Sequence, residues 1–389
     1  MLDQPIAYLT QGTLVLKHPG GEAKPYESYF AEQVARQNRR SRQQQGWRQS
    51  PVWGVMNGAP MGFDGLAVGA GAENHTPTRI TSVGRGRGGP LFVLQTPTIC
   101  GLFHHEFQDD GERRLIHRQD FQAADPVQHA DGTIAMTLRF NDGSACLATC
   151  DGDGRRLGEI TEGDAVDELP AWCPGEGRRL VYQSAGIARD AQGGLGHLSP
   201  YRIESLDLDT KSVETLAEDE ASDLLQPRMD AEGNLYFIRR PYQAKPDRPW
   251  TETVKDAALM PFRLAVGVFW MLDFLAKAAA GKGLTTAGGP DRRGPNLPWM
   301  VLSGRMVQVR EEETKAGRED HPVVPKTWEL IRRTPDGSTE TVAEHVVSYD
   351  LLGGGGVVYS DGRSVRRIDP TGAAEVVTRD RLIERVVAC

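Results

Sequence analysis

Cysteine is scarce in this chain: five residues in 389, Cys100, Cys146, Cys150, Cys173 and Cys389. The count is odd and the spacings match no zinc pattern. Cys146 and Cys150 fall on one face of an expected strand, where their α-carbons would stand roughly 13 Å apart, too far for a disulfide. All five read as free thiols, mostly core, in a reducing compartment. Catalytic signatures are also missing. The nine histidines show no His-x-His or His-Glu-x-x-His spacing, and no Gly-x-Ser-x-Gly elbow occurs. Two Gly-rich runs, 84–89 and 353–356, neither continue into Gly-Lys-Ser/Thr nor open a helix, so they suit loops better than phosphate sites. Positive charge is in deficit, with a formal net charge of -8, which argues against a dedicated nucleic-acid surface. The stretch Met1-Leu2-Asp3-Gln4-Pro5 carries neither a basic n-region nor an apolar h-region, which predicts a cytoplasmic chain.

Turn formers are plentiful, 44 Gly and 24 Pro, as expected where many turns join short strands. The two ends of the chain carry the same pattern. Val357-Val358-Tyr359-Ser360-Asp361-Gly362 leads to Val365-Arg366-Arg367-Ile368-Asp369-Pro370-Thr371-Gly372, and Ile6-Ala7-Tyr8-Leu9-Thr10-Gln11-Gly12 leads to Leu14-Val15-Leu16-Lys17-His18-Pro19-Gly20. The run Leu382–Val387 has no strand after it, and the N-terminal copy has none before it. Joining the two removes the open edges that a repeating sheet would otherwise carry. In the middle, Asp125-Pro126, Asp167…Pro170 and Asp223…Pro227 each precede a Gly turn and an apolar strand. From Gly89 to Gly132 to Gly177 the steps are 43 and 45 residues, the length of a four-stranded blade.

The stretch at 167–182, Asp-x-x-Pro-x-Trp-x-Pro-x-x-Gly-Arg-x-Leu-Val-Tyr, resembles the TolB-like, WD40-like repeat of six-bladed β-propellers. The blades at 125 and 223 share it more loosely, so the resemblance covers about half the chain. It implies a fold and not an activity, because that repeat serves many purposes. The expectation is one all-β domain over residues 1–389, a six-bladed β-propeller closed by its N- and C-terminal strands. One blade is shared between the termini. The others fall near 60–120, 121–163, 164–220, 221–344 and 345–380. Strand-like material at 51–75 and 298–312 leaves seven blades open.

Two stretches break the repeat. Residues 27–50 read as a basic helical insertion, with Phe30, Val34 and Tyr29 as its apolar stripe and Arg36, Arg39 and Arg40 among its cations. Residues 241–298 hold an apolar helix starting at Pro261 as its first helical residue. In it Phe262, Val266, Phe269, Trp270, Leu272 and Phe274 leave almost no polar face. Its apolar run, Leu264 to Leu272, is nine residues, far short of the ~20 of a membrane span. Such a helix can pack over the propeller itself, dock into a partner protein, or lie at a membrane interface.

Other candidates have plainer readings. His104 and His105 are adjacent on a strand, so they point to opposite faces and do not share one ion easily; they read as a structural or exposed pair. Asp151-Gly152-Asp153-Gly154 lacks an acid at the fifth EF-hand position, which is Arg155, and reads as a hairpin turn before a strand at 155–160. Asp125, Asp167 and Asp223 recur at the heads of successive blades and would cap turns at one rim. No catalytic, cofactor-binding or metal-binding residue is assigned. The reading is a non-enzymatic scaffold for protein–protein interaction, a subunit of a larger assembly whose partner is unknown. Phe262, Val266, Phe269, Trp270, Leu272, Phe274, Arg36, Arg39 and Arg40 are its partner-binding candidates. The rival is an enzyme or a small-ligand or metal binder using the central channel.

Overall fold

A computed structural model describes residues 4–37, 78–96, 99–119, 121–175, 177–189, 195–242, 299–302, 305–308 and 322–389. Its strands are short and their partners are mostly sequence neighbours, as turn-punctuated β-branched runs dictate. The chain opens with β1 (Ile6–Thr10), β2 (Thr13–Lys17) and β3 (Ala23–Pro25). Next come β4 (Arg79–Arg85), β5 (Pro90–Gln95), β6 (Cys100–Glu106) and β7 (Gly111–Arg118) as one antiparallel sheet. Then β8 (Ala123–Gln128), β9 (Ile134–Arg139), β10 (Ala145–Cys150) and β11 (Gly158–Glu159) form a third unit. The fourth holds β12 (Ala165–Trp172), β13 (Arg179–Arg189), β15 (Arg202–Asp207) and β16 (Ser212–Ala217), with β14 (Leu195–Leu198) pairing off the extended end of β13. The third and fourth units touch edge to edge through one parallel pair, Ala145↔Val166.

The fifth unit is β17 (Ser222–Met229), β18 (Leu235–Pro241), β21 (Glu329–Arg333) and β22 (Thr339–Ala343). Between β18 and β21 lies a hairpin of β19 (Trp299–Leu302) and β20 (Arg305–Gln308) that, among the described residues, pairs only with itself. It accounts for the strand-like sequence at 298–312. The sixth unit is β23 (Ser348–Leu351), β24 (Val357–Ser360), β25 (Ser364–Ile368) and β26 (Ala374–Arg379). The last strand, β27 (Ile383–Ala388), pairs antiparallel with β1 from Ile6↔Ala388 to Thr10↔Ile383, so the first unit reads β27-β1-β2-β3.

Each unit is therefore a four-stranded antiparallel sheet. The first strands of successive units pack side by side: β27 on β4, β4 on β8, β8 on β12, β12 on β17, β17 on β23, and β23 back on β27. Apolar side chains fill the spaces between facing sheets. Leu9, Leu14, Phe92, Phe103 and Val387 lie between the first two units. Leu91, Leu102, Met136 and Cys146 lie between the next two, and Tyr8, Val15, Val358 and Val365 join the sixth to the first.

Three first strands share a local distortion. Asp125, Leu169 and Gln226 adopt left-handed φ angles of 50°, 59° and 54°, each directly before a proline and each at a break in strand register. That region is costly for a non-glycine residue. A side chain from the preceding unit supports each one. The Asp125 amide donates to Ser82 Oγ at 2.8 Å, that of Leu169 to Thr137 Oγ1 at 3.2 Å, and that of Gln226 to Gln183 Oε1 at 3.0 Å.

Residues 29–37 form α1, the one helix among the described residues. Ser28 caps it, its Oγ accepting from the Ala31 amide at 3.2 Å. Glu112 on β7 accepts from the Phe30 amide and from Tyr26 Oη, at 3.0 and 2.9 Å. A carboxylate at a helix N-terminus is favourable. Phe30 packs against Phe103 and His117, but Tyr29 is 66% exposed and does not join the apolar stripe expected of it, because its side chain points away from the sheet beneath. Arg36 is exposed and pairs with Glu32 one turn back at 2.8 Å. Arg39 and Arg40, and Phe262, Val266, Phe269, Trp270, Leu272 and Phe274, lie outside the described residues, as does the apolar helix expected within 241–298.

Candidate functional site

The first strands bring charged side chains of neighbouring units together. Asp350, at the end of β23, is almost fully buried. Its Oδ2 lies 3.1 Å from Arg85 of β4 and accepts from the Ala388 amide at 2.9 Å. Its Oδ1 lies 3.4 Å from Arg228 of β17 and accepts from the Leu351 amide at 3.0 Å. Burial alone would push this carboxyl upward, but the two guanidiniums and the two amides hold it below the usual carboxylate range. Arg85 also donates to the carbonyls of Ala388 and Leu351, at 3.0 and 2.5 Å.

A second group adjoins it. Arg139 of β9 lies 3.0 Å from Glu168 of β12 and 3.7 Å from Asp125 of β8. Tyr201 and Gln183 both donate to Glu168 Oε2, at 3.4 and 3.5 Å. Gln226 donates to the Val347 carbonyl at 3.0 Å, and Tyr349 returns a bond to the Gln226 carbonyl at 2.7 Å. The Val386 amide donates to Ser348 Oγ at 3.2 Å. These links run from unit to unit and back to the start: Ser82 to Asp125, Arg139 to Glu168, Gln183 to Gln226, Tyr349 across to β17, Ser348 to β27, and Ala388 to Arg85. Arg385, on β27, lies among them. Burial and the nearby Arg228 pull its guanidinium down to about 10, against the opposing fields of Asp125, Asp350 and Tyr349.

Other sequence candidates are structural. Asp223 is fully buried and pairs with Arg240 at 3.1 Å, and the guanidinium of Arg240 lies 4.9 Å from the Trp328 ring centroid. Asp167 is buried on β12, its carboxyl pushed up by desolvation. Asp125, Asp167 and Asp223 stand one, three and four residues before their prolines, so they occupy different places in their strands and make no ring of equivalent carboxylates. They do not cap a rim. His104 and His105 are both buried, so the exposed alternative for them falls, and burial lowers the pKa of each. They face opposite sides of β6, with His105 against Tyr26 and Phe107.

Asp151 closes a tight turn by accepting from the Arg155 amide at 2.7 Å; only Gly158–Glu159, not the whole of 155–160, continues as strand. All five cysteines are free, four of them buried. Desolvation pushes Cys146 and Cys150 each up to about 12, which leaves thiols and not nucleophilic thiolates at neutral pH. Among the described residues no group of three or more His, Cys, Asp or Glu is placed to hold a metal ion. No helix there is long and apolar enough to cross a membrane.

Sequence reasoning missed the axial charges. It read Leu382–Val387 as an apolar run and passed over Glu384-Arg385 within it. Charged residues inside an otherwise apolar first strand were the available signal, since a buried charge needs partners.

No family model matches the chain, and no curated protein matches it in sequence. Solved structures do match. A chain of the nidogen/laminin complex has a TM-score of 0.50 at 10% identity, over 99% of this chain and 97% of that one. TolB from Acinetobacter baumannii has a TM-score of 0.49 at 11% identity, over 99% of this chain and 66% of that one. The tricorn protease has a TM-score of 0.47 at 11% identity, over 99% of this chain and 34% of its own. This chain thus spans about two thirds of TolB's length and a third of tricorn's. The neighbours are β-propellers. The likeness to the nidogen/laminin chain, at 10% identity, shows the fold alone. The chain is an all-β protein with a β-propeller fold.

Proposed function

We propose that residues 1–389 form a single six-bladed propeller, a closed ring that serves as a non-enzymatic scaffold for a partner protein. The observation that carries this reading is topological. In an antiparallel four-stranded unit, the loop after the second strand and the connection after the fourth lie at the same end of the sheet. The segment 26–78 follows β3, the fourth strand of its unit, and 242–328 follows β18, a second strand. The hairpin that ends in β14 also follows a second strand. Tyr242, where the longer segment departs, lies 2.9 Å from His197 on β14. The longest interruptions of the framework therefore leave from one face, while the opposite face carries short turns such as Asp131–Gly132. Long insertions that depart from one face support a docking role.

Phe262, Val266, Phe269, Trp270, Leu272 and Phe274 would supply apolar anchors, as large side chains do at interfaces, and Arg36, Arg39 and Arg40 a basic margin. The free thiols support a reducing, cytoplasmic setting. The test compares the full chain with Phe269→Asp, with Trp270→Asp and with a deletion of 250–297. The expected result is an unchanged strand signal and melting temperature, with loss of a partner that the full chain retains through purification and cross-linking. Variants that unfold, or that keep the partner, would refute it.

The axial cluster favours a second reading, a small-ligand site in the channel, because its charges converge from every unit.

A further inference from the structure

Three ring contacts join the first unit and the segment after it to the second unit, and each uses a histidine. His18, just after β2, meets Phe107 edge-on with 4.9 Å between ring centroids. Tyr26, just after β3, lies 4.7 Å from His105 of β6. Phe30, in the first turn of α1, lies 5.1 Å from His117 of β7. Tyr26 and Phe30 also cover apolar rings of the second unit, Phe92 at 5.5 Å and Phe103 at 5.1 Å. Glu112 holds the same stem, one carboxylate oxygen accepting from Tyr26 Oη and the other from the Phe30 amide. His105 is the innermost of the three histidines. It is 1% exposed, and its Nδ1 is sealed from solvent with no hydrogen-bond partner. Its Nε2 lies 3.7 Å from Asp110, whose side chain is 94% exposed.

A neutral imidazole suits such a place and an imidazolium does not. Desolvation works against a charge on His105; Asp110, the Gly111 backbone and Glu112 favour one, His18 opposes it, and burial prevails. Asp110 stands in water, where its field is screened, and both oxygens of Glu112 are already engaged. His117 follows the same sign nearer the surface, since its partial burial and the neighbouring Arg114 both disfavour a charge. A histidine that resists protonation while docked contributes fully above its ordinary value of 6.5, and that contribution is lost as pH falls below it. We propose that this joint is an acid-sensitive latch: neutral His105 keeps the stem of α1 seated on the second unit, and its protonation, aided by that of His117, releases Tyr26 and Phe30. Release uncovers Phe103, while the backbone pairing of β5, β6 and β7 stays intact. The scaffold reading does not depend on this latch, and failure of either leaves the other standing.

The test is hydrogen exchange of the full chain at about pH 7.5 and about pH 5.5, read by mass spectrometry of peptides and corrected for the intrinsic pH dependence of amide exchange. A seat that tolerates only neutral His105 weakens by up to about tenfold between those values, because the undocked imidazole titrates between them. Peptides spanning 26–34, which hold the Phe30 and Ala31 amides, should lose protection by that factor, and those of β5 and β6 should not. Burial raises the Glu384 carboxyl into the same window, but it lies on β27 and acid strengthens its contribution, so it does not produce a loss confined to 26–34. His105→Phe should keep the stem protected at both pH values. His105→Asn takes up no proton either, and should erase the pH dependence whatever its own level of protection. Unchanged protection of 26–34 in acid would overturn the proposal. So would a loss shared equally by every strand, or one that persists in both His105 variants.

Discussion

The innermost and outermost strands of each unit obey different rules. The first strands β12 and β17 are buried over most of their length, yet they hold Asp167, Glu168, Asp223 and Gln226. The fourth strands β7, β16, β22 and β26 are largely exposed, and their charges, such as Glu214, Glu340 and Glu375, face water. Several polar groups on the first strands, Asp125, Glu168, Gln226 and Asp350, are tied to partners in neighbouring units, whereas Asp223 pairs with Arg240 in its own. At the exposed outer strands Arg332 pairs with Glu340 at 3.1 Å and Arg367 with Glu375 at 3.5 Å, each within its own sheet. The inside thus fixes how units sit together, while the charged outer strands discourage another chain from adding to the sheet.

That contrast can be broken most severely at β27. Removing residues 382–389 takes the inner strand from the first unit, and with it the Ala388 amide and carbonyl bonded by Asp350 and Arg85. Cooperative melting by circular dichroism should be lost. Next comes a matched pair of ion-pair variants. Asp223→Ala removes the carboxylate paired with the buried Arg240 and should cost about 3–5 kcal/mol in denaturant unfolding, whereas Glu340→Ala, at an exposed pair, should cost less than about 1 kcal/mol. Equal losses would erase the distinction between axis and rim.

Glycines sharpen it further. A Cβ at Gly84, on inner strand β4, would sit 1.6 Å from the Pro126 carbonyl oxygen, while one at Gly158, on outer strand β11, meets nothing within 4 Å. Gly84→Ala should lose about 3 kcal/mol and Gly158→Ala should stay within about 0.5 kcal/mol of the parent. The smallest expected effect concerns acid. Burial pushes the Glu384 carboxyl up to about 7, beyond what the Gln11 amide and Arg79 offset. A carboxyl raised in the folded state contributes stability below its unfolded value near 4.5, and that contribution is lost as pH rises through 7. Glu384→Gln should therefore gain about 1–3 kcal/mol at about pH 8 and flatten the stability profile between about pH 5 and 8.

The sequence was legible where the pattern is local. Gly turns after Asp131, Glu232 and Asp361 marked the strand pairs, and short apolar runs marked the strands between them. The orphan run at 382–387 and the partnerless run at 6–10 pointed to each other, and they pair in one sheet. What stayed hidden is what depends on distance along the chain. Nothing near Arg85 announces Asp350, and nothing near Gln226 announces Gln183 or Val347. Asp125, Asp167 and Asp223 looked equivalent because each precedes a proline, yet their spacing to it differs, and side-chain direction in a strand reverses with every residue. Tyr29, adjacent to the packed Phe30, is turned outward for a like reason, since neighbours on a helix point in different directions. His104 and His105 were judged by strand alternation alone, whereas their burial follows from neighbours outside their own strand, Tyr26 among them.

The mixed make-up of the first unit has a consequence for biosynthesis. A ribosome delivers β1, β2 and β3 first and their inner neighbour β27 after every other strand. Until then β1 presents a naked row of backbone donors and acceptors, and β23 and β4 have nothing between them. The first unit can therefore close only after every other strand has been made, so its completion is the last step of the fold's assembly.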